Sequence, residues 1–367
     1  MLLEEKLFEP KGILPDRMIN LMCEKGLIQG STRINRSQIQ PASLDLRLGS
    51  TAYRVRVSFL TNKEGRIIDR INEFGMHTIN IEEGAVLEKG CVYVIPLMES
   101  LQLPAGISGV ANAKSSTGRL DLLTRLITDF GSEFDRIENG YTGPLFAEVC
   151  PRSFSVCVKQ GTLLNQVRFG NGSSQLSTDD YNIIRQANHI ESDLVNLEEG
   201  LDFSVDLSLE NDLVGYRAKQ HTGIIDLSNS NYYPPQDFWD PVYAYKKQII
   251  LDPGSFYILA SQEEVTIPPR YAAEMTPYLP MVGEFRVHYA GFFDPGFGYQ
   301  GTGGAGSRGV LEVRCHEVPF LLEHGQKMGK LVFEKMMEEP ENPYGSQNYS
   351  NYQGQRLKLS RHFKVVN

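Results

Sequence analysis

The sequence predicts a mainly-β chain built as two tandem copies of one barrel or sandwich domain, with few short helices. Three observations carry that expectation. Short apolar or alternating segments recur at close intervals with turn residues between them, a rhythm that fits sheet packing better than βαβ units. The second half repeats the first: Gly90/Gly254, Pro104/Pro268, Glu148/Glu312, Gly161/Gly325 and Phe169/Phe333 are each separated by 164 residues. Finally, 367 residues exceed what one hydrophobic core usually serves, and an apolar content of 41% is enough for two.

Taken in order, Ile13 to Gly26 predicts a helix, with Pro15 and Asp16 at its start, Met18, Ile19 and Met22 on an apolar face, and Gly26 as the stop. Ser43 to Leu48 alternates apolar and polar residues and ends at Gly49, which predicts a strand. Further strands are expected at Tyr53–Phe59, His77–Ile81, Cys91–Leu97, Gly106–Ala111, Leu122–Ile127, Pro144–Val149, Ser155–Val158 and Gln166–Phe169. The polar stretch from Gly170 to Asp180 opens a linker, which gives a first domain over 1–180 and a second over 190–340. Locally, Leu87 to Ile95 matches Leu251 to Leu259, and Ser43 to Leu48 matches Ser204 to Leu209 at an offset of 161. Residues 341–367 carry interleaved tyrosines and glycines and read as a mobile tail able to fold over a ligand, the competing fate being a frayed terminus.

Composition narrows the function. With 45 acids against 36 bases and a net charge of −9, the chain has no basic excess for coating nucleic acid. Five scattered cysteines without a C-x-x-C spacing suggest reduced thiols. Neither a secretory signal nor an apolar run long enough to span a membrane is evident, so a soluble cytoplasmic protein is expected.

Two features carry chemistry. Lys114-Ser115-Ser116-Thr117-Gly118-Arg119 packs two cations and three hydroxyls into six residues, a set able to hold a polyphosphate. Glu148 lies in the apolar run Pro144 to Val149, and a carboxylate buried there must be paired or kept protonated, which makes proton transfer one outcome. An ordinary polar loop and a solvent-facing edge-strand glutamate is the competing account. In the second copy the six-residue motif is replaced by Tyr278 to Gly283, whereas the carboxylate persists as Glu312. That copy adds the compact string Arg286 to Phe297, containing Ala290, Asp294 and Phe297; the first copy has Phe134-Asp135 and Gly140-Tyr141 instead.

Other chemistries fit poorly. A zinc deaminase needs H-x-E followed by P-C-x-x-C, and His189-Ile190-Glu191 supplies only the first half. Gly301 to Gly306 is glycine-rich but precedes a strand pattern, so it reads as a flexible insertion and candidate lid rather than a dinucleotide loop.

These strings together resemble the dCTP deaminase branch of the dUTPase-like β-barrel nucleotide hydrolases. The resemblance is carried by Gln40 to Gly49, by Lys114-Ser115-Ser116-x-x-Arg119, by Gly140 to Glu148 and by Tyr344 to Gly354, with Asp294-Pro-Gly-Phe297 leading to Glu312 in the second copy. It implies two tandem dUTPase-like β-barrel domains and zinc-independent hydrolytic deamination of dCTP to dUTP and ammonia. Glu148 is then similar to the family's general base, Ser115 and Arg119 to the residues that hold the attacking water, and Lys114, Ser116 and Thr117 to its phosphate ligands. Ala290, Asp294 and Phe297 fall in the base-pocket segment, and Tyr344 and Gln353 in the tail. Magnesium is expected on the triphosphate, and no zinc.

Three departures stand out. Lysine replaces the family's arginine at 114, the first copy lacks Asp-Pro-Gly, and both glutamates occupy the carboxylate position. Family sites form between neighbouring barrels, so a homo-oligomer is implied in which Ser115 and Arg119 meet either Glu148 or Glu312. A dUTP pyrophosphatase, a bifunctional deaminase making dUMP, and a non-catalytic nucleotide-binding regulator are the alternatives.

Overall fold

The computed structural model describes the chain except for residues 1–10, 191–195, 278–284, 289–290, 347–351 and 366–367. Strands dominate it. Every alternating segment expected in the first half falls on or overlaps one, from Leu44–Arg47 through Val92–Gln102 and Thr142–Pro151 to Leu163–Asn171.

The duplication is visible as a repeated register. In the first copy Glu148 lies opposite Val94, and Phe169 opposite Gly109. In the second, Glu312 lies opposite Ile258, and Phe333 opposite Ala273, each pair shifted by the same 164 residues. Individual hydrogen bonds repeat as well. The Glu88 N–H donates to the Tyr93 hydroxyl at 2.9 Å, and the Asp252 N–H to the Tyr257 hydroxyl at 2.8 Å. Gly161 donates to the Leu48 carbonyl at 2.8 Å, and Gly325 to the Val205 carbonyl at 2.9 Å; the strand Leu44–Arg47 therefore corresponds to Leu201–Ser204, an offset of 157 and not the 161 read from the matching strings.

Contacts divide the chain into two compact units. One comprises Met1–Ser174, Gly223–Ser230 and Met336–Glu341; the other comprises Gln175–Thr222, Asn231–Lys335 and Asn342–Asn367. The units therefore interleave in sequence, unlike the three contiguous segments expected. A physical reason is strand addition: Ile225–Asp226 pairs in parallel with Val156 and Cys157. The first unit's core joins Leu44, Leu46, Val167 and Phe169 with Met18, Ile19 and Met22 of the helix Asp16–Glu24. The second unit's core contains Phe203, Val205, Leu331 and Phe333. Burying each such side chain contributes roughly 1.5–3 kcal/mol.

Three segments differ from expectation. The linker continues into a helix, Thr178–Ala187, because Ser177 and Asp180 form a capping box. Asp180 is buried and also accepts from the Tyr271 hydroxyl at 2.9 Å and the Lys335 ammonium at 2.9 Å. The glycine-rich stretch 301–306 is anchored at one point: Gly304 is buried while Gly301, Gly303 and Ala305 are exposed, and the tight packing lies just before it. Gly298 (φ +68°) has no room for a side chain, since a Cβ there would sit 2.1 Å from the Val265 carbonyl oxygen. In the tail, residues 352–365 are docked: Phe363 is buried against Tyr233, Phe238 and Trp239, and the Gln355 amide donates to the Arg308 carbonyl at 3.0 Å.

Candidate functional site

Lys114 to Arg119 forms a single helical turn, Ser115–Gly118, that links the strands Ile107–Ala113 and Leu122–Thr128. Its own hydrogen bonds limit what it can offer. The N–H groups of Thr117 and Gly118 donate to the Lys114 carbonyl at 2.8 and 3.0 Å, and that of Arg119 to the Ser115 carbonyl at 3.2 Å. Anion contacts from these positions therefore fall to side chains. Ser116, Thr117 and Arg119 are buried. The Lys114 ammonium forms an ion pair with Asp45, a buried carboxylate on the strand Leu44–Arg47 that also accepts from the Gln40 amide at 3.3 Å.

Glu148 is 2% exposed and lies opposite Arg125 on the neighbouring strand. Arg125 donates to its Oε1 from Nε at 3.1 Å and from Nη2. The same guanidinium stacks 3.6 Å from the centre of the Phe134 ring and donates to the Ser58 hydroxyl at 3.1 Å. Glu148 is thus embedded in a charge-assisted assembly that holds one of its oxygens in place. Register sets its distance from the turn. Pro151, three residues beyond Glu148, pairs with Leu122, three residues beyond Arg119, so Glu148 stands about 10 Å along the strand from that end.

Glu312, 4% exposed, occupies the same place in the second unit, opposite Ile258 and His288. Arg125 thus has a histidine as its register counterpart. The same unit gathers most of the expected pocket residues. Asp294 follows the short strand Phe292–Phe293, and its carbonyl accepts from the Phe297 N–H at 3.1 Å. The Phe297 ring packs against Phe293 and Tyr344, with centroids 5.2 and 5.8 Å away. The Gln353 carbonyl accepts from the Gly298 N–H at 3.0 Å, and its amide donates to the Gly296 carbonyl at 3.3 Å. Phe297, Tyr344 and Gln353 therefore converge on the loop that begins at Asp294. Ala290 lies outside the described residues, as does the stretch that replaces the six-residue motif.

The first copy's own pocket string is tied to its neighbouring strands. Asp135 (φ +61°) accepts the Leu126 N–H, inside the strand Leu122–Thr128, at 2.7 Å. The Tyr141 hydroxyl donates to the Pro144 carbonyl at 2.6 Å, and burial pushes its ionisation up, so it stays a neutral donor. Sequence reasoning named neither Arg125 nor Asp45 as a partner. The available signal for Arg125 was a cation interrupting the apolar strand Leu122 to Ile127.

Fold and site define a duplicated, mainly-β protein: one copy carries a cationic, hydroxyl-rich turn, the other a packed aromatic and amide cluster, and both carry a buried strand carboxylate. Comparison with known proteins makes this specific. Residues 10–173 match the family model of the 2'-deoxycytidine 5'-triphosphate deaminase N-terminal domain, and residues 177–363 match that of its C-terminal domain. The chain belongs to the 2'-deoxycytidine 5'-triphosphate deaminase family. It is similar to the crystal structure of 2'-deoxycytidine 5'-triphosphate deaminase from Agrobacterium tumefaciens, with a TM-score of 0.85, 51% identity, and coverage of 90% of this chain and 97% of that one. Curated relatives called "dCTP deaminase, dUMP-forming" include those of Kocuria rhizophila and of a Nocardioides species, each 38% identical over 111 residues, 29% of this chain. The chain spans about half the length of these curated relatives, 54%.

Proposed function

We propose that this chain hydrolytically deaminates dCTP to dUTP and ammonia, on a dUTPase-like barrel scaffold, with Glu312 as the proton-transferring carboxylate. The observation that supports the choice of glutamate is the cluster of expected pocket residues that shares a unit with Glu312. Arg125, half-buried, holds Glu148 and stacks on Phe134, so a nucleobase approaching Glu148 meets a carboxylate that already has a cation. Glu312 shares its unit with the Asp294, Phe297, Tyr344 and Gln353 cluster. In this account Ser115 and Arg119 of a neighbouring chain in a homo-oligomer hold the attacking water, while its Lys114, Ser116 and Thr117 take the phosphates. Magnesium arrives on the triphosphate, since the donors of the turn are cations and hydroxyls rather than metal-binding carboxylates.

Water adds to C4 of cytosine as Glu312 accepts its proton. Protonation of N3 and then of the amine lets ammonia leave with both electrons of the C4–N bond. A strand-borne carboxylate shielded from solvent suits such a relay.

A second outcome, further hydrolysis to dUMP, is favoured by the name that the curated relatives carry. Incubating the purified chain with dCTP, then separating ammonia, dUTP and dUMP, decides between them. Binding of dCTP without turnover contradicts both.

A further inference from the structure

Beneath the six-residue turn lies a buried amide that the role of the turn does not yet explain. Asn165, on the strand Leu163–Asn171, stands opposite Leu46 on one side and Ala113 on the other. Two residues further on, Val167 and Ala111 continue the same face into the first unit's core, so the Asn165 side chain points inward. It is 0% exposed, and among the described residues neither its Oδ1 nor its Nδ2 has a hydrogen-bond partner. An amide buried in this way is costly, whereas an apolar side chain of similar shape is not.

The second unit shows what this position becomes where the turn's side chains are lost. By register its counterpart is Gly329, opposite Pro277, and a Cβ at Gly329 would lie 2.8 Å from the Thr276 carbonyl oxygen. Thr124 changes in the same sense. It is 3% exposed, pairs with Val149 and shares its face with the core residue Leu126; the residue that pairs with Val313 in the second unit is Val287. The Thr124 hydroxyl donates to the Leu122 carbonyl at 3.2 Å, which leaves its oxygen able to accept. Two buried polar residues at the strand ends that the turn joins are thus glycine and valine in the copy without Lys114 to Arg119.

Asn165 is also adjacent to the turn. Ala113 immediately precedes Lys114, and the Lys114 N–H donates to the carbonyl of Leu164 at 2.9 Å. Residues paired across strands hold their Cβ atoms ~4.5–5.5 Å apart, a span that one water can bridge. On the other face of the same sheet the turn is held by Asp45, opposite Gln166, through the Lys114 ammonium.

We propose that Asn165 is a positioning residue: its amide holds a buried water that also bonds the turn from inside, and so sets the placement of Lys114 to Arg119. Buried waters of this kind bond polar groups that lack protein partners. The consequence for triphosphate rests on the phosphate-binding role proposed for the turn; the hold on the turn does not.

Hydrogen exchange of the unliganded full chain tests that hold. Asn165→Leu fills the space of the amide without a donor or acceptor, and Asn165→Ala does the same without overpacking. In both, the amides of Thr117, Gly118 and Arg119 should exchange about three- to tenfold faster than in wild type, with the flanking strands unchanged. Equilibrium binding of dCTP and of inorganic triphosphate should weaken by a similar factor, and Asn165→Ser, which restores a donor and an acceptor, should recover most of both losses. Circular dichroism and thermal melts check that each variant is folded. Unchanged exchange at the turn in the apolar variants overturns the proposal. So does faster exchange throughout the first unit with a lowered melting temperature, which makes Asn165 a packing residue. Faster exchange confined to the turn, in a chain whose wild type binds neither ligand, upholds the positioning role and overturns the phosphate reading instead.

Discussion

The two copies put a glutamate at one register position and surround it differently. Glu148 is opposite Arg125, whose guanidinium grips it and stacks on Phe134; Glu312 is opposite His288. What holds the fold is kept in both: the Tyr93 and Tyr257 hydroxyls accept equivalent N–H groups, and the Gly161 and Gly325 bonds coincide. The polar and aromatic features have diverged. The cationic turn stays in the first copy, while the aromatic and amide cluster is built in the second. Duplication lets a chain do this because a strand pair needs only its register and its apolar face, leaving polar positions free to diverge.

The sharpest way to break this comparison is to neutralise each carboxylate in turn. Glu312→Gln should lower deamination by ~10²–10⁴-fold while leaving nucleotide affinity nearly intact, as measured by ammonia release and equilibrium binding. Glu148→Gln should stay within a few-fold of wild type. The reverse pattern moves the base to the first copy.

Next in size is the stability of the Glu148 assembly. Arg125→Met leaves a buried carboxylate without its cation and should cost about 3–5 kcal/mol in chemical denaturation of the first unit. A cost near zero shows that the pair is not what holds Glu148.

Acid sensitivity distinguishes the units further. Burial opposes ionisation of Asp180, but the Ser177, Lys335 and Tyr271 donors outweigh it and hold its folded-state pKa below the ordinary value of 3.8. A depressed carboxylate adds stability that is complete above 3.8 and is lost as the pH falls through the folded value. Asp180→Asn should therefore flatten the acid limb of the second unit's stability profile. An unchanged limb assigns that slope to other groups.

The smallest effect checks the equivalence of the two copies. Tyr93→Phe and Tyr257→Phe each remove one acceptor and should each cost ~1 kcal/mol. Clearly unequal costs, read from parallel denaturation curves, mean that the repeated bonds are not energetically equivalent.

Much of this architecture was legible in the sequence because it is local or periodic. Alternation placed the strands, Pro15 and Gly26 bracketed the first helix, and the constant offset of 164 gave the right pairs from Gly90 onwards, whereas the earlier strings were matched four residues out of register. Partners that come together only in three dimensions were not. Asp45 and Lys114 are 69 residues apart, and Arg125 and Glu148 are 23 apart, so neither pairing leaves a spacing signature. The helix Ile67–Phe74 was missed because it is short and its first N–H is held by the distant Asp129 carboxylate at 2.7 Å. The docked tail was hidden for a similar reason. Tyrosine, glycine and glutamine look mobile in isolation, whereas Gln353 is fastened by backbone groups of a loop more than fifty residues earlier.

The most direct measurement is turnover of dCTP by the purified chain with magnesium present, following ammonia and nucleotide together. The account predicts ammonia equal to the dCTP consumed, with a uracil nucleotide accumulating in step. Saturable binding of dCTP with neither product formed contradicts it.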